Sequence, residues 1–145
     1  MWSFVGSKKC KRWIQVNIAD VTRYALNLWL ALCTSSRQVV ACVIGGRGKA
    51  TCKHLWKGVP EPYKQGVCYT DFWEAYAALP DEQHVAVGKD SGLTAHVERF
   101  NNTLRQRLAR FVRKTLAFSK SELMHLICLH LFLHRYNLER AAISR

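Results

Sequence analysis

Residues 37 to 46 read RQVVACVIGG, a continuous run of Val, Ala, Cys and Ile closed by two glycines. β-Branched residues in such a run favour an extended chain, and Gly45 and Gly46 stop it, so this is the clearest strand in the sequence. Toward the N-terminus, WSFV (Trp2 to Val5) reads as a strand and GSKKCKR as a basic turn. Trp13 to Val16 and Leu28 to Cys33 are further apolar, β-rich stretches. Strands in succession suggest an antiparallel meander of three. Toward the C-terminus, KATCKHLWKG (Lys49 to Gly58) carries a short helical pattern, ended by Gly58 and the Pro60 and Pro62 pair. GVCYTD (Gly66 to Asp71) is a further buried strand, FWEAYAAL (Phe72 to Leu79) a helix stopped by Pro80, and HVAVG (His84 to Gly88) a fifth strand. Everything beyond it has helical character.

The helical half opens with HVERFNNTLRQRLARFVRKT (His96 to Thr115). Val97, Phe100, Leu104, Leu108, Phe111 and Thr115 recur at spacings of three and four, so one stripe faces a core. Arg99, Arg110 and Arg113 cover the outer face, and together with Arg105, Arg107 and Lys114 they offer a cationic surface to a phosphate backbone. Glu98, the segment's one carboxylate, falls at the edge of the apolar stripe beside Asn101, Asn102 and Arg105. Ser119 and Glu122 form an S-x-x-E capping pattern for a last helix. Its sequence LMHLICLHLFLHRY is apolar on most sides and reads as well buried.

Two carboxylates stand where chemistry is expected. Asp71 directly follows a buried strand and precedes a helix, which puts it at the carboxyl edge of the sheet, where open α/β sheets bind ligands. Helix capping is the competing reading. For Glu98 the competing reading is a favourable first-turn charge paired with a neighbouring Arg. If both acids reach one site, their repulsion at ~4 Å costs about 1 to 4 kcal/mol, which a divalent cation would relieve. Hard oxygen ligands suit Mg²⁺, which keeps several waters and shares its shell with substrate phosphates.

Composition narrows the classes. At 145 residues with 49% apolar and 11% aromatic content, the chain has material for one domain with a real core, which argues against disorder. Its 22 Lys and Arg against 10 acids give +12 and a pI near 9.8, the balance of a protein that approaches a polyanion. No apolar run approaches the roughly 20 residues that span a bilayer. The charges of MWSFVGSKKCKRW follow a very short apolar stretch instead of preceding one, unlike a signal peptide. The expected compartment is cytoplasmic. The six cysteines form no C-x-x-C pair and read as reduced, mostly buried thiols. His130 and His134 lie one helical turn apart without a third soft ligand nearby, and read as helix-flank residues.

The succession WSFVGSKKCKRW, RQVVACVIGGRG, YTDFWEAY and HVERFNNTLRQRLARFVRKTLAFSKSELMH resembles the catalytic half of transposases of the insertion sequence 1 family, most specifically over Tyr69 to Tyr76 and Val97 to His125. The resemblance implies an α/β, ribonuclease H-like fold: a mixed sheet of three antiparallel strands extended by two more, with helices around it. It implies DNA cleavage and strand transfer by an Asp, Asp, Glu triad that binds two Mg²⁺ ions. Asp71 matches the second Asp and Glu98 the final Glu, with residues 72 to 97 between them. The implied partner is DNA, both transposon ends and target, in a nucleoid-associated prokaryotic setting with no membrane; a homo-oligomer is compatible.

Two departures accompany it. The family's first catalytic Asp would fall just ahead of Met1, and the family's N-terminal DNA-binding region is also missing, so residues 1–145 are expected to form a single catalytic domain of impaired activity. Between Trp13 and LWLALC lie about a dozen residues more than a hairpin needs. Residues 17–26 are therefore expected to be a loop insertion, with Asp20 a solvated loop acid. The alternative function is a non-catalytic DNA-binding remnant; an RNA-associated structural protein is suggested only by charge. Trp73 and Tyr76 read as core residues rather than base-stacking ones.

Overall fold

Apolar and polar residues alternate from Ile14 to Ile18 in IQVNIAD, which makes strand β1 (Ile14–Asp20), and two more apolar stretches make β2 (Asn27–Cys33) and β3 (Val39–Gly45). The three pair antiparallel in sequence order. The computed structural model describes residues 14–20, 27–111 and 121–143, the side chains of 14–20, Lys89, Arg110 and Glu122 excepted. After β3 come helix α1 (Lys49–Gly58), the short α2 (Glu61–Lys64), strand β4 (Cys68–Thr70), a 3-10 turn at Glu74–Ala78 and strand β5 (His84–Ala86). A 3-10 turn at Lys89–Ser91, helix α3 (Ala95–Arg107), a 3-10 turn at Ala109–Phe111 and the long α4 (Glu122–Ile143) complete the order. β4 pairs parallel to β1, and β5 parallel to β4, so the five-stranded sheet has the order β3-β2-β1-β4-β5. The protein is thus mixed α/β.

β2 shows why helices are needed on both sides. Every residue of it is buried. Trp29, Ala31 and Cys33 pack with Cys52, Leu55 and Val59 on the α1 side. Leu28, Leu30 and Leu32 pack with Val97, Phe100 and Leu104 of α3 and with Leu129, Leu133 and Tyr136 of α4. Period-two alternation sends successive side chains to opposite faces, so a strand apolar at every position must lie between two layers. The β2–β3 hairpin closes over Thr34–Arg37 with Arg37 N–H donating to Cys33 O at 2.9 Å. Arg37 has φ 60, a left-handed conformation that costs a non-glycine residue about 1 kcal/mol or more. β3 is an edge strand, and α4 covers part of that edge: Asn137 Oδ1 accepts from Val39 N–H at 2.9 Å and its Nδ2 donates to Val39 O at 2.8 Å. This side-chain amide satisfies a backbone pair that would otherwise be open to a foreign strand.

Several expectations are corrected. The strand expected at Trp2 to Val5 lies outside the described residues, and the first described strand is Ile14–Asp20. Of the expected loop insertion 17–26, Asn17 to Asp20 are strand, and 21–26 lie outside the described residues. The alternation of Ile14, Val16 and Ile18 with polar neighbours is a strand signal that the length argument overrode. Asp20 is accordingly the last residue of β1, paired with Asn27, and not a loop acid. The helix expected over Phe72 to Leu79 is only a 3-10 turn, which starts after Trp73. The helix expected through Thr115 ends at Arg107, where Leu108 turns extended at ψ 97. Phe111 stays buried past that break by stacking on His125 at 4.2 Å, so packing against α4 rather than helical period decides where the chain turns. Ser119 of the expected capping pattern lies outside the described residues; Ser121 immediately precedes α4, and its Oγ accepts from Met124 N–H at 3.4 Å. Nor is α4 well buried all round: Leu123, Met124, Ile127, Leu131 and Leu138 are exposed. Among the described residues no helix is long and apolar enough to cross a membrane.

Candidate functional site

Asp71 leaves the sheet at the carboxyl end of β4, and three contacts fix its position. Thr70, fully buried, donates its hydroxyl to Asp71 O at 2.8 Å and lies 2.6 Å from His84 Nε2 of the neighbouring strand. One hydroxyl has one proton, so Thr70 accepts from His84, whose Nε2 then carries the hydrogen. Burial holds the pKa of His84 below its ordinary value, against an opposing pull from Asp81. On the other side, Asp71 Oδ1 accepts from Trp73 N–H at 3.1 Å. The capping reading of Asp71 is therefore realised as a local turn. The carboxylate itself is exposed.

The same edge carries a loop that sequence reasoning passed over. Gly46, Arg47 and Gly48 connect β3 to α1, and Gly45 pairs with Asn27, which pairs in turn with the last residue of β1. Trp29 Nε1 donates to Gly46 O at 2.9 Å, and Trp73 Nε1 donates to Arg47 O at 3.2 Å. Arg47 Nε donates to Asn27 Oδ1 at 3.1 Å. Trp73 thus ties the segment that follows Asp71 to a cationic loop. It is 43% exposed, and Phe72 beside it is 74% exposed, whereas Tyr76 is buried. The core reading holds for Tyr76 and fails for Trp73, because the chain becomes helical only after it. The sequence signal for this edge was the glycine-flanked arginine.

Glu98 lies in the first turn of α3, exposed, on a helix whose Val97, Phe100 and Leu104 are buried against the sheet. α3 packs on β1 and β2, so the elements bearing Asp71 and Glu98 both adjoin β1, one by parallel pairing and one by packing. His96 anchors this turn by accepting at Nδ1 from the Arg37 guanidinium of the hairpin. Burial first, then the cations Arg37 and Arg99, keep His96 below its ordinary pKa, which leaves the ring neutral and able to accept. Asn101, one turn beyond Glu98, is buried, and its Oδ1 has no partner among the described residues. Arg99, Arg105 and Arg107 are exposed along α3. Arg107 is partly committed to structure, since it binds Glu139 of α4 at 3.1 Å. Arg110's side chain and residues Arg113 and Lys114 lie outside the described residues.

Asp20 ends β1 opposite Asn27. Among the described residues no three His, Cys, Asp or Glu side chains converge as a metal cluster. His130 and His134 are both exposed on α4. The described cysteines are free thiols, with Cys42 and Cys52 pushed up to about 11 and Cys68 to about 12, in each case chiefly by burial. Those three thiols stay protonated at neutral pH and act as packing residues.

Residues 1–138 match the family described as IS1 transposase. The chain is 35% identical over 125 residues to insertion element iso-IS1n protein InsB of Shigella dysenteriae, covering 86% of this chain and 82% of that protein. It is 34% identical over 125 residues to insertion element IS1 protein InsB of Shigella sonnei, with the same coverage. Against insertion element IS1 4 protein InsB of Escherichia coli (strain K12) the identity is 34% over 125 residues, and the match spans 64% of that longer protein.

Proposed function

The chain belongs to the IS1 transposase family, and from that premise we propose that it is built for Mg²⁺-dependent DNA strand cleavage and strand transfer, with Asp71 and Glu98 as catalytic carboxylates. The observation that carries the reading is the sheet order β3-β2-β1-β4-β5, antiparallel on one side of β1 and parallel on the other. We read it as ribonuclease H-like. In such a sheet an acid directly after β4 and one on the helix packed against β1 can serve a common centre.

The donor set suits Mg²⁺. Both acids are exposed hard-oxygen donors, and the buried Asn101 Oδ1 near Glu98 is an acceptor suited to a hydrated cation's water. When bound, the metal supplies Lewis-acid activation of the attacking oxygen and stabilises the leaving one. The protein's own residues do the rest. Thr70 and Trp73 hold the Asp71 turn rigid, so its carboxylate needs little reorganisation on loading. Arg99, Arg105, Arg107, Arg110, Arg113 and Lys114 supply the charge that grips the DNA backbone without reading sequence. DNA work of this kind belongs in the prokaryotic cytoplasm at the nucleoid.

The net charge of +12, which suits DNA binding whether or not the carboxylates act, supports a second reading, a DNA-binding remnant without catalysis. A nicking assay on plasmid carrying transposon ends, titrated with Mg²⁺, separates the two. Nicking by the wild type that disappears in Asp71→Ala and Glu98→Ala, while DNA binding persists, supports the enzyme. Salt-sensitive binding with no nicking at any Mg²⁺ concentration supports the remnant, and binding indifferent to salt contradicts both.

A further inference from the structure

The outer side of α4 is apolar and uncovered among the described residues. Leu123, Met124, Ile127, Leu131 and Leu138 stand 42 to 66% exposed, while Leu129, Leu133 and Tyr136 on the opposite side are spent on the core. Met124, Ile127, Leu131, His134 and Leu138 step alternately by three and four residues, the spacing of a helix-helix seam. These exposed side chains amount to roughly 400–500 Å² per chain, so pairing two copies would remove on the order of 1,000 Å², the lower bound of a specific interface.

Charge selects the occupant. The chain carries +12, yet Leu123 to His134 contains no Lys, Arg, Asp or Glu. A phosphate backbone or an anionic lipid surface needs cations that this face lacks. A second copy of so basic a chain is repelled wherever cations meet, and this neutral strip is where that repulsion is weakest. We propose that α4 pairs with the α4 of a second copy through a two-fold contact centred near Leu131. Such a contact presents the same patch from both sides. Arg135 and Glu139, paired at 3.3 Å, lie at its polar rim. Because Arg107 also binds Glu139, pairing holds the two cationic α3 surfaces at a fixed separation.

Sedimentation of the full chain, free of DNA and in high salt, tests this over a concentration series from about 1 to 100 µM. The wild type is expected to shift from monomer to dimer. Leu131→Glu and, separately, Ile127→Glu are expected to raise the dimer Kd at least about tenfold. Thermal unfolding should be unchanged because both side chains are exposed. Gln106→Glu, which adds the same single negative charge on α3, should leave the Kd alone. A wild type that stays monomeric throughout, or dimers indifferent to both α4 substitutions, overturns the proposal. So does a monomeric wild type whose melting temperature falls in Leu131→Glu, which would mean that the face is covered within one chain.

Discussion

α3 and α4 bury the same kind of stripe against the same side of the sheet, Val97, Phe100 and Leu104 from one and Leu129, Leu133 and Tyr136 from the other. Their outer faces diverge. α3 turns Arg99, Arg105 and Arg107 to solvent, and α4 turns Met124, Ile127, Leu131 and Leu138. Inner faces decide whether a helix belongs to the fold, and outer faces decide what else it can touch. A cationic exterior suits a polyanion, and a neutral apolar one suits another protein surface.

The sharpest way to break the comparison is at the shared inner face. Phe100→Ala should cost about 3–5 kcal/mol and Leu129→Ala about 2–5 kcal/mol, measured as urea midpoints, since each leaves a cavity in one core. If one substitution were nearly neutral, the two helices would not be equivalent inside. Next comes Asn137→Leu, expected to cost about 2–3 kcal/mol by stranding the buried Val39 N–H and C=O. A similar loss in Asn137→Asp, which keeps the acceptor but not the donor, would show that the Val39 carbonyl needs its partner.

The outer faces separate by salt. Arg99→Ala and Arg105→Ala should each weaken DNA binding and flatten the log-log salt dependence by about one. Both should leave stability within about 0.5 kcal/mol, and Leu131→Ala should leave the salt slope untouched. Equal slopes in all three variants would erase the distinction.

Acid provides a smaller test. His84 and His96 are both held below their ordinary value of 6.5, chiefly by burial. The unfolded chain therefore takes up protons before the folded one does. Stability should be full above that value and fall as pH drops below it, until the folded pKa is reached. His96→Gln should flatten the decline in urea midpoint between about pH 7.5 and 5.5; an unchanged profile would show that this ring does not contribute. The smallest effect should come from Glu139→Gln. Its carboxylate is held below the ordinary range mainly by the hydrogen bond from Arg107, with Arg135 adding to it, but the side chain is 41% exposed and solvent screens the gain.

The fold was most legible where pattern and partner agree. RQVVACVIGG became β3 and KATCKHLWKG became α1 with the boundaries its glycines implied. Legibility failed where two readings competed for one segment. IQVNIAD carries both a strand's alternation and a spacing longer than the family pattern, and its pairing with β2 and β4 decides for the strand. LMHLICLHLFLHRY looked buried because apolar residues occupy most of its sides, but only one side meets the sheet. At the candidate site, Asp71 and Glu98 could be singled out by residue type and position. The Thr70, Trp73, His84 and Arg47 contacts around Asp71 could not, since they join segments distant in sequence.

The chain's own order of residues determined its basic character, its meander followed by helices, and its membership in a family of DNA-processing proteins, because charge, periodicity and motif are local properties. Tertiary structure alone decided which apolar stripes were covered, where α3 ended and which loop braces Asp71. Burial and hydrogen bonding are satisfied between elements rather than within them, so those outcomes depend on what each face meets.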